Sequence, residues 1–395
     1  MDSKPSVVLP PGTVDLASEV VPAVRALLRR GLPDDFVRAC VRVGAFEAFG
    51  GGYKSELVGG LRIDVNAAMK LGGEELDRHV LLMERVNKTR PRTFPSVQAV
   101  VPLDRGRRLL FMEQLMSHTT LLDLVYRRRT AVSDLDRILD NAFVGVRAVR
   151  RTTREQAPAL RKIPRTSDPY GKRLRTKLET ITTIDPELAP LWERAGSVLG
   201  EKVPPLTPLL ACLDAWLGSA LPAAPKMLCH GDLHLGNVMA RRRGRGFSVR
   251  MIDPNPEIGI TDPLYDAGKL LHFAEPVGWA AIDPAHCRAT LRLRAKSYSL
   301  TPRLSPSSAS AERRRASFEA LLRERLMSVR RKDETRAPRL EVATAAAHVG
   351  LAALLSEKRD ESARRFVLAH ALRALGAWHR MVMTEAAAPS RGSDA

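Results

Sequence analysis

The stretch Met227–Phe273 restricts this chain more than any other. It reads MLCHGDLHLGNVMARRRGRGFSVRMIDPNPEIGITDPLYDAGKLLHF. His230-Gly231-Asp232 is followed by Asn237 and, after a basic insert, by Ile252-Asp253-Pro254. Val238-Met239-Ala240 and Phe247–Ile252 have strand character and flank Arg241–Gly246, so a β-hairpin turning at Arg241–Gly246 is predicted. A hairpin returns its two ends to one place, which brings Asn237 beside Asp253. An amide oxygen and a carboxylate are hard donors, suited to Mg²⁺ rather than zinc. Asp232, on the tight loop before the hairpin, can take or orient the proton of an attacking hydroxyl. A base and two metal ligands meeting at one point is the layout of phosphoryl transfer from ATP, where positioning and charge neutralisation do most of the work.

HGDLHLGN, then IDP, then DPLYD resembles the aminoglycoside phosphotransferase and choline kinase group of small-molecule kinases. The protein-kinase form of the loop is H-R-D-x-x-x-x-N followed by D-F-G. The resemblance implies an α+β, bilobal protein-kinase-like fold with a small β-rich N-lobe and a large, mainly helical C-lobe. Matched by motif, Asp232 stands at the catalytic base, His230 at the loop's structural histidine, and Asn237 and Asp253 at the Mg²⁺ ligands. Asp266 matches a buried aspartate that braces the catalytic loop. Asp262, four residues earlier, is placed to cap the helix predicted over Leu264–Phe273. ATP and Mg²⁺ are the implied cofactors. The implied reaction moves the γ-phosphoryl group to a hydroxyl of an aminoglycoside-, sugar- or amino-alcohol-like molecule. Asn255–Gly259 is much shorter than a protein-kinase activation segment and argues for a small acceptor. Pro254 stands where many relatives carry an aromatic, and Ile-Asp-Pro resembles the streptomycin-kinase-like subset.

The domain plan has an N-terminal arm and helices (1–44), a nucleotide-binding N-lobe (45–115), a catalytic and substrate-binding C-lobe (116–385) and a disordered tail (386–395). In the N-lobe, Phe46–Val58 reads as strand, Gly-rich turn and strand. The amides of Gly50, Gly51 and Gly52, with Ser55, are the candidate phosphate cradle, because glycine lets a backbone approach closely. Lys70, in Asn66–Leu71, occupies the place where the family offers a lysine to the ATP phosphates. The helix predicted over Glu74–Val86 has Leu76, Val80, Met83 and Val86 along its apolar stripe. The family's glutamate partner for that lysine falls here on His79, with Glu75 and Glu84 nearby. Phe94–Val101 and Arg108–Leu115 complete the small sheet, and Glu113 and Leu115 mark the segment that would hold adenine through main-chain groups.

In the C-lobe, helices are predicted over Leu121–Arg128, Ser133–Arg151 (capped by Ser133), Lys172–Thr183, Pro186–Leu199 and Leu209–Leu217. Pro276–Leu300 reads as mixed and helical, Thr301–Ser310 as a polar loop. Three helices follow, over Ala311–Arg330, Leu340–Leu355 and Glu361–Thr384. His234, inside the loop, is read as packing or backbone bonding, and Tyr265 as core.

Scattered Cys40, Cys212, Cys229 and Cys287 form no CxxC pair, which argues against a disulfide framework and fits a reducing cytoplasm. The first residues lack the apolar segment of a signal peptide, and no membrane partner is expected. The net charge is +19. Its arginine clusters lack interleaved aromatics, so they are read as solvated faces rather than a nucleic-acid surface. Two alternatives to an active kinase stand beside it: a nucleotide-binding pseudokinase with a regulatory role, and a basic nucleic-acid-binding protein on a kinase scaffold.

Overall fold

The computed structural model describes residues 46–47, 56–61, 67–102, 106, 108–113, 115, 117–155, 163–328, 333–357 and 360–387. The N-terminal segment 1–44, the candidate cradle of Gly50, Gly51, Gly52 and Ser55, and the tail beyond Ala387 lie outside the described residues. Two compact units form. The described residues up to Glu84, with Pro95–Ser117, make the first, and Arg85–Phe94 with the described residues from His118 onward make the second.

The first unit holds β1 (Phe46–Glu47), β2 (Glu56–Leu61), β3 (Ala67–Gly72), the start of helix α1 (Glu75–Thr89), β4 (Val97–Pro102) and β5 (Arg108–Glu113). The strands form one antiparallel sheet in the order β1-β2-β3-β5-β4. Leu109, Leu110 and Phe111 are all buried in β5, a strand flanked on both sides, so it reads as an unbroken apolar run. Glu75 and Asp77 occupy the first turn of α1 and Lys88 the last, each favourable to the helix dipole. Its buried stripe is Leu76, His79, Leu82, Met83 and Val86. Val80, expected on that stripe, is only half-buried, and His79 turns inward instead.

The second unit continues with β6 (Thr119–Thr120), α2 (Leu121–Tyr126), α3 (Val132–Glu155), α4 (Gly171–Ile184), β7 (Ala195–Val198), β8 (Glu201–Val203) and α5 (Leu206–Ala223). Then come β9 (Met227–Leu228), β10 (Val238–Arg243), β11 (Gly246–Met251), β12 (Ile260–Thr261), α6 (Leu264–Ala274) and α7 (Gly278–Ile282). The chain closes with β13 (Cys287–Leu293), β14 (Ser297–Leu304), α8 (Ala309–Met327), α9 (Arg336–Glu357) and α10 (Glu361–Ala387). A β-rich N-terminal unit followed by a mainly helical one is the bilobal kinase-like architecture.

Helix α9 packs against both α10 and α6. Its buried face is built of Ala343, Ala346, Ala347 and Val349, small residues that let the axes approach. At the closest point a Cβ on Gly268 of α6 would lie 2.5 Å from the Ala343 carbonyl carbon, so only glycine fits. α5 is long and apolar enough to cross a membrane; Leu206, Leu209, Leu210, Leu213 and Leu217 on it are buried in the folded chain, and Asp214 pairs with Arg175 at 2.6 Å.

Several elements differ from those predicted. Pro186–Leu199 is not one helix: Pro186–Trp192 is a 3-10 turn with Pro190 inside it, and the chain then becomes β7. Helix α3 starts at Val132, so Ser133 lies inside it rather than capping it. Pro276–Leu300 contains only the short α7 and a 3-10 turn before β13 and β14, and β14 continues through part of the expected polar loop. Ser308 then caps α8, its side chain accepting from Ala311 N. β13 and β14 join β7 and β8 in a sheet ordered β13-β14-β7-β8, with β14 and β7 parallel. Helix α10 runs to Ala387, past the start expected for the tail.

Candidate active site

β10 and β11 form the hairpin, in register from Val238↔Met251 to Arg243↔Gly246. Its two-residue turn is Gly244-Arg245, and Gly244 has φ +56°, the backbone sense a tight hairpin turn favours. Beyond the strands, Ile252 N donates to Asn237 O at 2.9 Å, so the ladder continues to the residue before Asp253. Asn237 and Asp253 therefore leave the same end of the hairpin. Asn237 Nδ2 donates to the Asp232 carbonyl at 2.8 Å. A carbonyl only accepts, so the amide nitrogen takes that side and Oδ1 is turned away from it. Asp253 is exposed and has φ +52°, an uncommon value for a residue with a Cβ.

The loop before the hairpin is held from below. Asp266, buried on the first turn of α6, accepts from His230 N at 2.8 Å and Gly231 N at 2.9 Å. Gly231 has φ +82°, and a Cβ there would sit 2.1 Å from Asn255 O, so the position admits only glycine. Asn255 N donates to His230 O at 2.7 Å, and the β9–β12 pair (Leu228↔Ile260) closes the segment from the other side. His230 is buried and stacks on Phe94 with ring centroids 5.7 Å apart; its Nδ1 accepts from Asp232 N at 3.3 Å. Burial pushes the His230 imidazole pKa down.

Asp232 faces a partner absent from the sequence reading, Lys269, one turn beyond Asp266 on α6. Lys269 Nζ lies 2.9 Å from Asp232 Oδ1, and His234 Nε2 lies 3.7 Å from Oδ2. Burial pushes the Asp232 carboxyl up, but Lys269 and His234 outweigh it and hold the group well below the ordinary carboxylate range. Lys269 is shifted up in turn, Asp232 overcoming the effect of burial. His234 Nδ1 accepts from Gly236 N at 3.1 Å, which leaves the ring proton on Nε2 toward Asp232; burial lowers the His234 pKa against the pull of Asp232. The only local signal for Lys269 is spacing: a lysine at i+3 from Asp266 shares its helix face.

Asp262 is fully buried and does more than cap. Its Oδ1 accepts from Leu264 N at 3.0 Å, although Pro263 is the residue at the N-cap. Its Oδ2 accepts from Arg339 Nη1 at 2.7 Å and from Tyr170 Oη at 3.0 Å.

In the first unit, Lys70 and His79 are both buried, with Nζ and Nδ1 3.3 Å apart. Glu113 ends β5, where its carboxylate accepts from Ser96 N at 3.2 Å, and Leu115 is half-buried two residues on. Among the described residues no group of three or more His, Cys, Asp or Glu side chains could hold a metal ion.

The model of the phosphotransferase enzyme family (APH) matches residues 97–300. No curated protein matches the chain. Several solved structures are similar to it. A candidate aminoglycoside phosphotransferase from Ralstonia eutropha is 14% identical, over 92% of this chain and 98% of that one, with a TM-score of 0.48. Aminoglycoside 2'-phosphotransferase-IIIa, solved with GDP, is 11% identical over 91% and 97%, with a TM-score of 0.48. Choline kinase from Cryptosporidium parvum is 13% identical over 92% and 96%, with a TM-score of 0.44.

Proposed function

The chain belongs to the phosphotransferase enzyme family, and from that premise we propose that it moves the γ-phosphoryl group of ATP to a hydroxyl of a small aminoglycoside-, sugar- or amino-alcohol-like molecule. What supports this reading is that Asn237 is hydrogen-bonded to the Asp232 carbonyl and leaves the same hairpin end as Asp253, Ile252 N donating to Asn237 O. Asp232, held ionised by Lys269, accepts a hydrogen bond from the acceptor hydroxyl and orients it. So strongly acidic a carboxyl is a weak base, which suits a loose phosphoryl-transfer transition state in which little deprotonation is needed before the phosphorus–oxygen bond forms.

The donor set fits a magnesium ion. The Asn237 amide is oriented with its oxygen away from the Asp232 carbonyl, and Asp253 offers an exposed carboxylate from the same hairpin end. Both are hard oxygen donors, and two protein ligands completed by phosphates and water are usual for Mg²⁺. The ion would neutralise charge on the nucleotide's phosphates. The nucleotide contacts assigned to Lys70, Glu113, Leu115 and the glycine turn rest on the family resemblance. Cys212, Cys229 and Cys287, all free thiols, fit our placement of the enzyme in a reducing cytoplasm.

The test is phosphate incorporation from γ-labelled ATP into a panel of hydroxylated metabolites and antibiotics. Asp232→Asn keeps shape but loses the charge, and a fall of about 10²–10⁴-fold in kcat is expected. Unchanged turnover would reject the assignment. The pseudokinase reading is favoured by one observation, His79 beside Lys70 where the family has glutamate. It predicts nucleotide binding without turnover of any acceptor.

A further inference from the structure

The β13–β14 ribbon has two unlike faces. Cys287↔Leu304, Ala289↔Pro302, Leu291↔Leu300 and Leu293↔Tyr298 put apolar pairs on one face, which packs on α10. Arg288↔Arg303, Thr290↔Thr301 and Arg292↔Ser299 make up the other. In β7 and β8 the same outward row continues through Ser197 and Lys202. Arg288, Thr290, Arg292, Thr301, Arg303 and Lys202 are exposed. The hairpin tip adds Arg294 and Lys296, also exposed. No Asp or Glu occurs between Asp283 and Glu312. Among the described residues, Arg288, Arg292, Arg303 and Lys202 make no ion pair.

Many arginines of this unit are compensated: Arg315, Arg323, Arg325, Arg339, Arg364, Arg365, Arg373 and Arg380 each meet a carboxylate, whereas others, such as Arg128, Arg129 and Arg151, are exposed like those of the sheet but are not paired across a ladder with a second arginine. Two arginines directly opposite each other across a ladder are destabilising. Folding gives no reason to collect them on one face.

We infer that the outer face of this sheet is a docking surface for the phosphate backbone of duplex DNA, bound without reading sequence. Arginine, lysine and Ser/Thr hydroxyls are the donors that phosphate oxygens take. The face carries no aromatic side chain, and single strands are usually held by stacking on aromatics. It carries no large apolar side chain either, so it lacks the anchors of a protein interface. Arg288 and Arg292 stand four positions apart, about 13 Å along an antiparallel strand. That span is close to the roughly 12 Å major groove, which admits a two-stranded ribbon. The sheet packs on α10, which packs on α9, which packs on the Lys269-bearing α6, so the surface is separate from the catalytic loop.

The test uses the full chain, fluorescence anisotropy and a short labelled DNA duplex over a range of salt. Arg288, Arg292 and Arg303 are changed together to serine. A control changes Arg128, Arg129 and Arg151, also exposed, to serine for the same change in net charge. The sheet variant is expected to lose about tenfold or more in affinity, and its salt slope to fall by about 2–3. Melting temperature holds or rises slightly, because a like-charge pair is relieved, ATP turnover stays as in the parent, and the control binds like the parent. Absence of salt-dependent binding in the parent would overturn the inference. So would equal loss in both variants, or tighter binding of the face to phosphatidylserine vesicles than to DNA at the same salt. Since the readout is DNA binding, a failure of the phosphotransfer reading leaves it standing.

Discussion

Arginines in the helical interior of the second unit and on its sheet face teach opposite lessons. Arg339 is buried between Asp262 and Asp333, and Arg315 lies between Glu312 and Glu319 while donating to Ala274 O at 2.7 Å. Arg364 and Arg365 share Asp185, whose carboxyl they pull down against the upward push of its burial. These charges are structural members, fixed by carboxylates from distant parts of the chain. Arg288 and Arg303 face each other with no carboxylate between them. A net charge of +19 is therefore not a uniform coat. The ion-paired interior arginines add nothing to it, and part of the excess of basic over acidic side chains is displayed on the sheet face.

The sharpest way to break that contrast is Arg339→Ala. It would leave Asp262 buried without its cation, and a loss of about 3–5 kcal/mol is expected in urea unfolding. A loss below 1 kcal/mol would make the interior arginines as dispensable as surface ones. Next comes Lys269→Met. Without the ammonium, the Asp232 carboxyl rises toward its ordinary range, so the acid limb of the kcat profile moves to higher pH. An unmoved limb would mean that Lys269 does not govern the charge on Asp232.

Glu275 sharpens the contrast differently. It is buried beside Arg323, Arg373 and His348, yet burial outweighs the arginines and pushes its carboxyl up to about 7. The folded state then holds a proton that the unfolded state has released. This contribution to stability is full below the ordinary glutamate range and is lost as pH rises through about 7. Buried His272, His348 and His370 are shifted down, His370 to about 3, and act in the opposite sense. The readout is therefore the difference between parent and Glu275→Gln: the parent's melting temperature should fall relative to the variant's across that window. The smallest effect belongs to Arg303→Thr. Relieving one like-charge pair should stabilise by a few tenths of a kcal/mol at low salt and less at high salt. A loss above 1 kcal/mol would show that Arg303 has a structural partner.

The hairpin and the loop that precedes it were legible because their determinants are local. A turn, an alternation and a five-residue spacing suffice to place Asp232, Asn237 and Asp253 together. Arg339 and Tyr170 were not legible as partners of Asp262, because nothing in a local pattern joins residues so far apart in the chain. β13 was missed although its signal was present. Cys287–Leu293 alternates apolar and polar side chains along its length, a period-2 pattern inside a stretch read as mixed and helical. His79 entered the interior in place of Val80, a reminder that an apolar stripe predicts which face is buried better than which residues line it.

Asp266 and Lys269 sit one turn apart on α6, about 4.5 Å along its axis. The first grips the backbone of the loop and the second grips the carboxylate that the loop presents. A single rod thus acts as a caliper, setting where the loop lies and how its acid is charged. Any sliding of that helix would shift both grips in step, so substitutions at its Gly268–Ala343 contact should register first as altered chemistry at Asp232.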